Sequence, residues 1–229
     1  MSYNFILGPV DTDSISICKP DMSPFTEEEQ QSLINEINAL MPQKIQYAHD
    51  GYFQRCVALK AKNYVLFDGK KIKIKGSALK SSTKSPRLKQ FVKDVINIMC
   101  YAETDDERNT KLLGVYNEIV KEVNYLQDIK PWASRKTLSS TMKTSTRTNE
   151  TKVMDALVGS NYTEGDRFFT FFLNNDNLCL VENFTGDYNK TRLFKSIHDT
   201  ISIFDTVLDV KNLFPNYALK RNQKLLEAL

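Results

Sequence analysis

The sequence predicts an α+β protein with a β-rich first part and a mainly helical second part. Three observations carry that prediction: short apolar or alternating runs broken by turn residues as far as Lys75, long runs of helical period after Ser85, and one hairpin signal at Asn174-Asn175-Asp176-Asn177 inside the helical part. A chain of 229 residues, 41% hydrophobic and 26% charged, has the apolar material for one or two cores. The change of pattern near residues 101–106 divides 1–103 from 104–229.

The segment Tyr3 to Leu7 and the alternation Ser14-Ile15-Ser16-Ile17 read as the arms of a β-hairpin with Asp11-Thr12-Asp13 at its tip. Thr26 followed by Glu29 is a capping box, and Leu33, Ile34, Ile37, Leu40 and Met41 continue at helical spacing until Pro42. Strands follow around Phe53 to Leu59 and Tyr64 to Phe67. Asp68-Gly69 then turns the chain into Lys71-Ile72-Lys73-Ile74-Lys75, whose alternation gives one basic face. Ser85-Pro86 and Thr104 with Glu107 start two further helices. Residues 133–151 have the composition of a polar connector, residues 167–173 and 178–182 flank the hairpin loop, and 191–208 and 217–229 are helical in pattern.

Several function classes are excluded early. Cys18, Cys56, Cys100 and Cys179 contain no CxxC pair, which fits neither a zinc site nor a disulfide scaffold and suits thiols in a reducing cytosol. With His49 and His198 as the only histidines, carboxylate chemistry is favoured over a histidine-based centre. The first ten residues lack a basic n-region and a long apolar stretch, and about 18 apolar residues never run together, so neither secretion nor membrane spanning is expected.

Asp11-Thr12-Asp13-Ser14 brings two carboxylates to one tight turn, where hard oxygen donors suit a divalent cation. By itself such a pattern is far more often a solvated turn. The net charge of +3 is small, but Lys60, Lys62, Lys70, Lys71, Lys73, Lys75, Lys80, Lys84, Arg87 and Lys89 face a single acid, Asp68, over residues 60–89. A second basic run, Lys130, Arg135, Lys136, Lys143, Arg147 and Lys152, faces only Glu150. Basic strands beside a carboxylate turn fit a polyanion passing a metal site, with a solvated strand face as the alternative.

In this order the motifs resemble those of the family B DNA polymerases, T-even phage members included, from motif C to the C-terminus. Asp11-Thr12-Asp13-Ser14 is similar to motif C and Lys62-Asn63-Tyr64 to the K-x-Y element. Lys73-Ile74-Lys75-Gly76-Ser77-Ala78-Leu79-Lys80-Ser81-Ser82 resembles the K-x-x-G strand and turn. Arg135-Lys136-Thr137-Leu138-Ser139 and Glu164-Gly165-Asp166-Arg167-Phe168 resemble thumb motifs. Pro9-Val10 stands where relatives carry Tyr-Gly, and motif A, the fingers helix and the exonuclease, which precede motif C in the family, are not in these 229 residues.

The resemblance implies a partial polymerase palm over 1–103, an antiparallel β-hairpin and strands with helices, followed by a mainly helical thumb with a small β-hairpin over 104–229. It implies DNA-directed DNA polymerase chemistry with two Mg²⁺ ions, Asp13 as direct ligand and Asp11 as supporting carboxylate. The remaining aspartate would come from a partner, the N-terminal polymerase fragment with motif A, fingers and exonuclease. Lys62, Tyr64, Lys75, Gly76, Lys80, Ser82, Arg135 and Lys136 are the implied DNA-binding residues, with primer-template DNA and dNTP as further partners. A cytoplasmic setting is implied, the host cytoplasm for a viral protein. Gln223 to Leu229 stands where replicative relatives carry a sliding-clamp peptide, and an amphipathic helix end is its plainer reading. The competing expectation is a non-catalytic DNA-binding protein derived from a polymerase thumb.

Overall fold

The computed structural model describes residues 4–11, 13–80 and 85–214. The architecture is mixed α+β with small antiparallel sheets, and the chain falls into two compact units, Met1–Gly76 and Ser77–Leu229. This geometric division lies ahead of the pattern change at 101–106.

In the first unit, β1 (Ile6–Asp11) pairs with β2 (Ser14–Cys18) as a two-stranded ribbon, with Asp11 opposite Ser14. The register shifts between Leu7 and Val10, and Pro9 lies in that irregularity. A proline cannot donate to a ladder and is accommodated where pairing is already broken. The Pro9-Val10 departure is thus absorbed as a bulge, and Val10 still pairs with Ile15.

Helix α1 (Glu27–Ala39) begins with the expected reciprocal box: the Thr26 hydroxyl accepts from the Glu29 N–H, and the Glu29 carboxylate accepts from the Thr26 N–H. After the helix, Asn38 fixes the coil by donating to the Tyr47 carbonyl and accepting the Tyr47 N–H. The second sheet orders β3 (Arg55–Lys60), β4 (Asn63–Phe67) and β5 (Ile72–Lys75) side by side. Tyr64, Val65, Leu66 and Phe67 of the middle strand are all buried, which accounts for its unbroken apolar run. On β5 the lysines are exposed and Ile72 and Ile74 half-buried, as the alternation predicts.

In the second unit, α2 (Ser77–Lys80) leads to α3 (Pro86–Tyr101), capped by Ser85, and α4 (Asp105–Asn124), capped by Thr104. Leu112, Tyr116, Ile119 and Val123 recur at helical spacing on the buried face of α4, which packs on α3. Glu122 joins three elements: Arg87 Nε donates to one carboxylate oxygen at 2.6 Å and Trp132 Nε1, from the short 3₁₀ turn Lys130–Trp132, to the other at 2.9 Å.

Residues 133–151 are not simply a polar connector. They hold β6 (Ser134–Thr137), α5 (Ser140–Lys143) and the start of α6 (Thr148–Leu157). The polar composition misleads because the apolar anchors are few: Leu138, Val153 and Leu157 carry the segment into a core with Phe168, Leu178 and Leu180. The latter three belong to the expected hairpin, β7 (Arg167–Phe172) and β8 (Leu178–Leu180), and β7 pairs with both β6 and β8. Helix α7 (Lys190–Ile201), a 3₁₀ turn at Ser202–Phe204 and α8 (Val210–Leu213) follow, with α7 packed on α3 and α4. The Tyr188 hydroxyl donates to the Val123 carbonyl at 2.8 Å, tying the chain before α7 to the end of α4. The helix expected at 217–229 and the clamp-peptide position lie outside the described residues.

Candidate active site and nucleic-acid interface

Asp11 pairs with Ser14 at the end of the ribbon, and Asp13 lies in the turn beyond that pair. Ser14 Oγ donates to the Asp11 carbonyl at 3.3 Å across the turn. Asp13 is exposed at the tip, whereas Asp11 is half-buried and lies 3.5 Å from Lys62 Nζ. The donor type suits a hard cation such as Mg²⁺. The donor number does not: among the described residues no group of three or more His, Cys, Asp or Glu is gathered where it would hold a metal ion. Asp11 and Asp13 are therefore at most part of a site.

Lys62 reaches Asp11 from the turn between β3 and β4, where Lys60 pairs with Asn63 and Ala61-Lys62 form the tip. Its backbone has φ 59°, a left-handed conformation uncommon outside glycine. Tyr64, expected at DNA, is only 6% exposed and belongs to the buried row of β4. Its cross-strand partner Lys75 is exposed, and Gly76 follows at φ 103°.

The first basic run is divided between the two units. Lys60, Lys62, Lys70, Lys71, Lys73 and Lys75 are exposed on the first unit, with Lys73 held by Asp50 at 3.1 Å. Asp68, the run's one acid, closes its own turn by accepting the N–H groups of Lys71 at 2.6 Å and Lys70 at 2.8 Å, and these bonds, Lys71 first, hold its carboxyl below the usual range. Arg87 belongs to the second unit and is bound to Glu122. Lys80 ends α2 with its side chain outside the description, as are Ser82 and Lys84 altogether.

In the second unit, Arg135 is exposed and Lys136 half-buried on successive positions of β6. They pair opposite Phe169 and Phe168, so the two thumb-like motifs of the sequence are neighbouring strands. The motifs are also joined at their ends. Leu138 N–H donates to the Asp166 carbonyl at 3.0 Å, and Gly165 N–H to the Leu138 carbonyl at 2.8 Å. The Asp166 carboxylate accepts from the Thr163 N–H at 2.7 Å and its hydroxyl at 2.9 Å, which lowers its pKa in that order of effect. Ser139 caps α5 by accepting the Met142 N–H. Three cations of the second run have local partners: Lys143 with Glu164, Arg147 with Glu150, and Lys152 with the Asp176 carbonyl. Sequence reasoning did not single out Asp166 as the bond that fixes this turn, although its place one residue after Gly165 is a turn signal.

No protein-family description matches the sequence, and no curated protein does. The fold has a close counterpart among solved structures: the family B DNA polymerase from the hyperthermophilic archaeon Pyrobaculum calidifontis aligns with a TM-score of 0.65 and 16% identity over 91% of this chain. The chain spans 27% of that protein's length. At this identity the likeness concerns the fold.

Proposed function

We propose that this chain supplies the carboxy-terminal portion of a family B DNA polymerase, with the second half of the palm in 1–103 and the thumb in 104–229. The observation that carries the reading is the structural neighbour, a family B polymerase matched over 91% of this chain by only 27% of its own length, together with five motifs in the family's order along the sequence. Asp13 at the exposed hairpin tip is the metal-binding carboxylate and Asp11 its supporting neighbour. The missing acidic ligand comes from a partner chain carrying motif A, fingers and exonuclease.

The role of this chain's own residues follows from their chemistry. Two Mg²⁺ ions, shared with the partner's aspartate, would lower the charge barrier to attack by the primer hydroxyl and stabilise the pyrophosphate leaving group. Asp13 offers its oxygens to solvent from the turn that follows the paired Asp11. Lys75 and Arg135 on their strands and Lys62 in the β3–β4 turn present charge to a phosphate backbone rather than to bases, with Lys136, half-buried at the next position of β6, a lesser contributor. Tyr64 acts from inside the sheet, holding β4 beneath Lys75.

Exposed apolar groups support the need for a partner. Leu7, Val10 and Ile15 are 69%, 59% and 45% exposed on the ribbon, and α1 has no buried residue at all. A half-palm leaves such a face and a strand edge for the other half to cover. The alternative of a non-catalytic DNA-binding protein draws on the lack of a third acidic ligand among the described residues. Reconstitution separates the two. Template-directed incorporation by the paired chains that disappears on Asp13→Asn, with DNA binding retained, supports the polymerase; binding without incorporation in any pairing supports the alternative.

A further inference from the structure

Lys62 carries 68% of its side chain in solvent, and an exposed ion pair holds a long flexible side chain only weakly. The backbone beneath it decides how far that side chain can reach toward Asp11. That backbone is unusually constrained. Lys62 is in the left-handed region, and Asn63 Nδ2 donates to the Ala61 carbonyl at 2.9 Å across the turn. Gly76, at the end of the neighbouring β5, then closes against the same turn. A Cβ at residue 76 would lie 2.5 Å from the Lys62 carbonyl oxygen and nearer still to Asn63 Oδ1. A backbone carbonyl cannot swing aside as a side-chain end does, so any side chain at 76 displaces the turn, and the φ of 103° adds strain to it.

We propose that Gly76 is a positioning residue: its missing side chain lets β5 seat the Ala61-Lys62 turn so that the Lys62 ammonium is delivered to the Asp11 carboxylate at the hairpin tip. Gly76 thus acts on the nucleic acid through Lys62 and does not touch it. With DNA bound, the ammonium would offset charge on Asp11 on one side and meet a phosphate on the other. The last step rests on the polymerase reading; the Gly76 to Lys62 to Asp11 geometry does not.

Zero-length carbodiimide coupling, read by peptide mass spectrometry, tests the geometry without DNA. The wild-type chain is expected to yield an Asp11–Lys62 amide together with an internal control, Asp50–Lys73, whose ion pair is 3.1 Å long. In Gly76→Ala the Asp11–Lys62 product should fall by about tenfold or more while the control stays, because bond formation between held groups depends steeply on alignment. Adding Asn63→Ala, which removes one of the two obstructions, should restore part of it. An unchanged Asp11–Lys62 yield overturns the proposal. So does loss of both products, which would make Gly76 a residue of general folding.

Duplex DNA binding then tests the functional step. Gly76→Ala and Lys62→Met should lower the salt slope equally, each by less than the roughly 0.9 of a full phosphate contact because Asp11 already takes up part of the ammonium's charge, and the double variant no further. Additive effects refute action through Lys62. A wild-type slope of zero refutes the polymerase reading while leaving the coupling result standing.

Discussion

Lys62 Nζ lies 3.5 Å from the Asp11 carboxylate, although 51 positions of sequence separate the two, and Asp13 stands exposed on the same hairpin. The first aspartate thus already has a cation beside it. The two carboxylates are expected to differ in catalysis for that reason. In the reconstituted pair, Asp11→Asn should lower turnover by about 10 to 100-fold, the range for groups that orient a metal ligand, and Asp13→Asn by more. Steady-state rates accompanied by thermal melting and DNA affinity at fixed salt check this. Greater damage from Asp11→Asn, in variants that fold and bind, would reverse the assignment.

The isolated chain should not extend a primer with Mg²⁺, because a two-metal centre needs more acidic ligands than this hairpin supplies. A gel-based extension assay on rigorously purified chain checks it. Extension that Asp13→Asn abolishes would show the partner to be unnecessary.

DNA binding should weaken linearly in log salt and differ little between duplex sequences. Lys75→Met and Arg135→Met should each reduce the slope by about 0.9, whereas Lys143→Met and Arg147→Met, whose cations have local acidic partners, should leave it nearly unchanged. Fluorescence anisotropy at several salt concentrations is the measurement. Equal slopes for all four variants would show that the ion pairs of the structure do not decide which cations meet phosphate.

The turn at Asp166 should be sensitive to acid. Its carboxyl has a folded-state pKa lowered by the Thr163 N–H and hydroxyl, so the charged form is the one the fold prefers. The resulting stabilisation is complete above the ordinary aspartate value of about 3.9 and is lost as pH falls through the lowered folded value. Amide exchange at Gly165, whose N–H is bonded to Leu138, should therefore accelerate at the acid end of that window. Asp166→Asn should remove the pH dependence. If exchange in the two proteins follows pH alike, the carboxylate is not what holds the turn.

Glu122→Ala should destabilise the chain by about 1 to 3 kcal/mol, since it leaves the buried Trp132 N–H and the Arg87 guanidinium without their acceptor. Trp132 is the only tryptophan, so its fluorescence reports the loss directly alongside Tm. A melting temperature within error of wild type would mean that water replaces the carboxylate at no cost.

Local signals made much of this structure legible in the sequence. Thr26, Ser85 and Thr104 announce helices because a capping side chain acts within three residues of itself, and the alternation on β5 shows in a single strand. Strand β6 gave no such signal: Ser134-Arg135-Lys136-Thr137 is held by pairing to the aromatic β7, a partner 30 to 36 positions away. Helix α6 was hidden in the same way, since Val153 and Leu157 are its only buried residues. At the candidate site the sequence offers candidate residues but not their neighbours in space. The burial of Tyr64, a residue the resemblance implies at DNA, depends on the rest of its sheet, and the approach of Lys62 to Asp11 exists only once two sheets have formed.

The irregularity at Pro9 also bears on how the chain behaves when made in excess. Leu7, Val10 and Ile15 leave an apolar ribbon in water, the kind of surface on which strands of different molecules add to one another. Pro9 removes one N–H from that ribbon and the bulge breaks its register, so a second copy finds no regular edge to extend. Self-association is resisted at the very strand that ends in Asp11, and surplus chain is kept from templating its own aggregation.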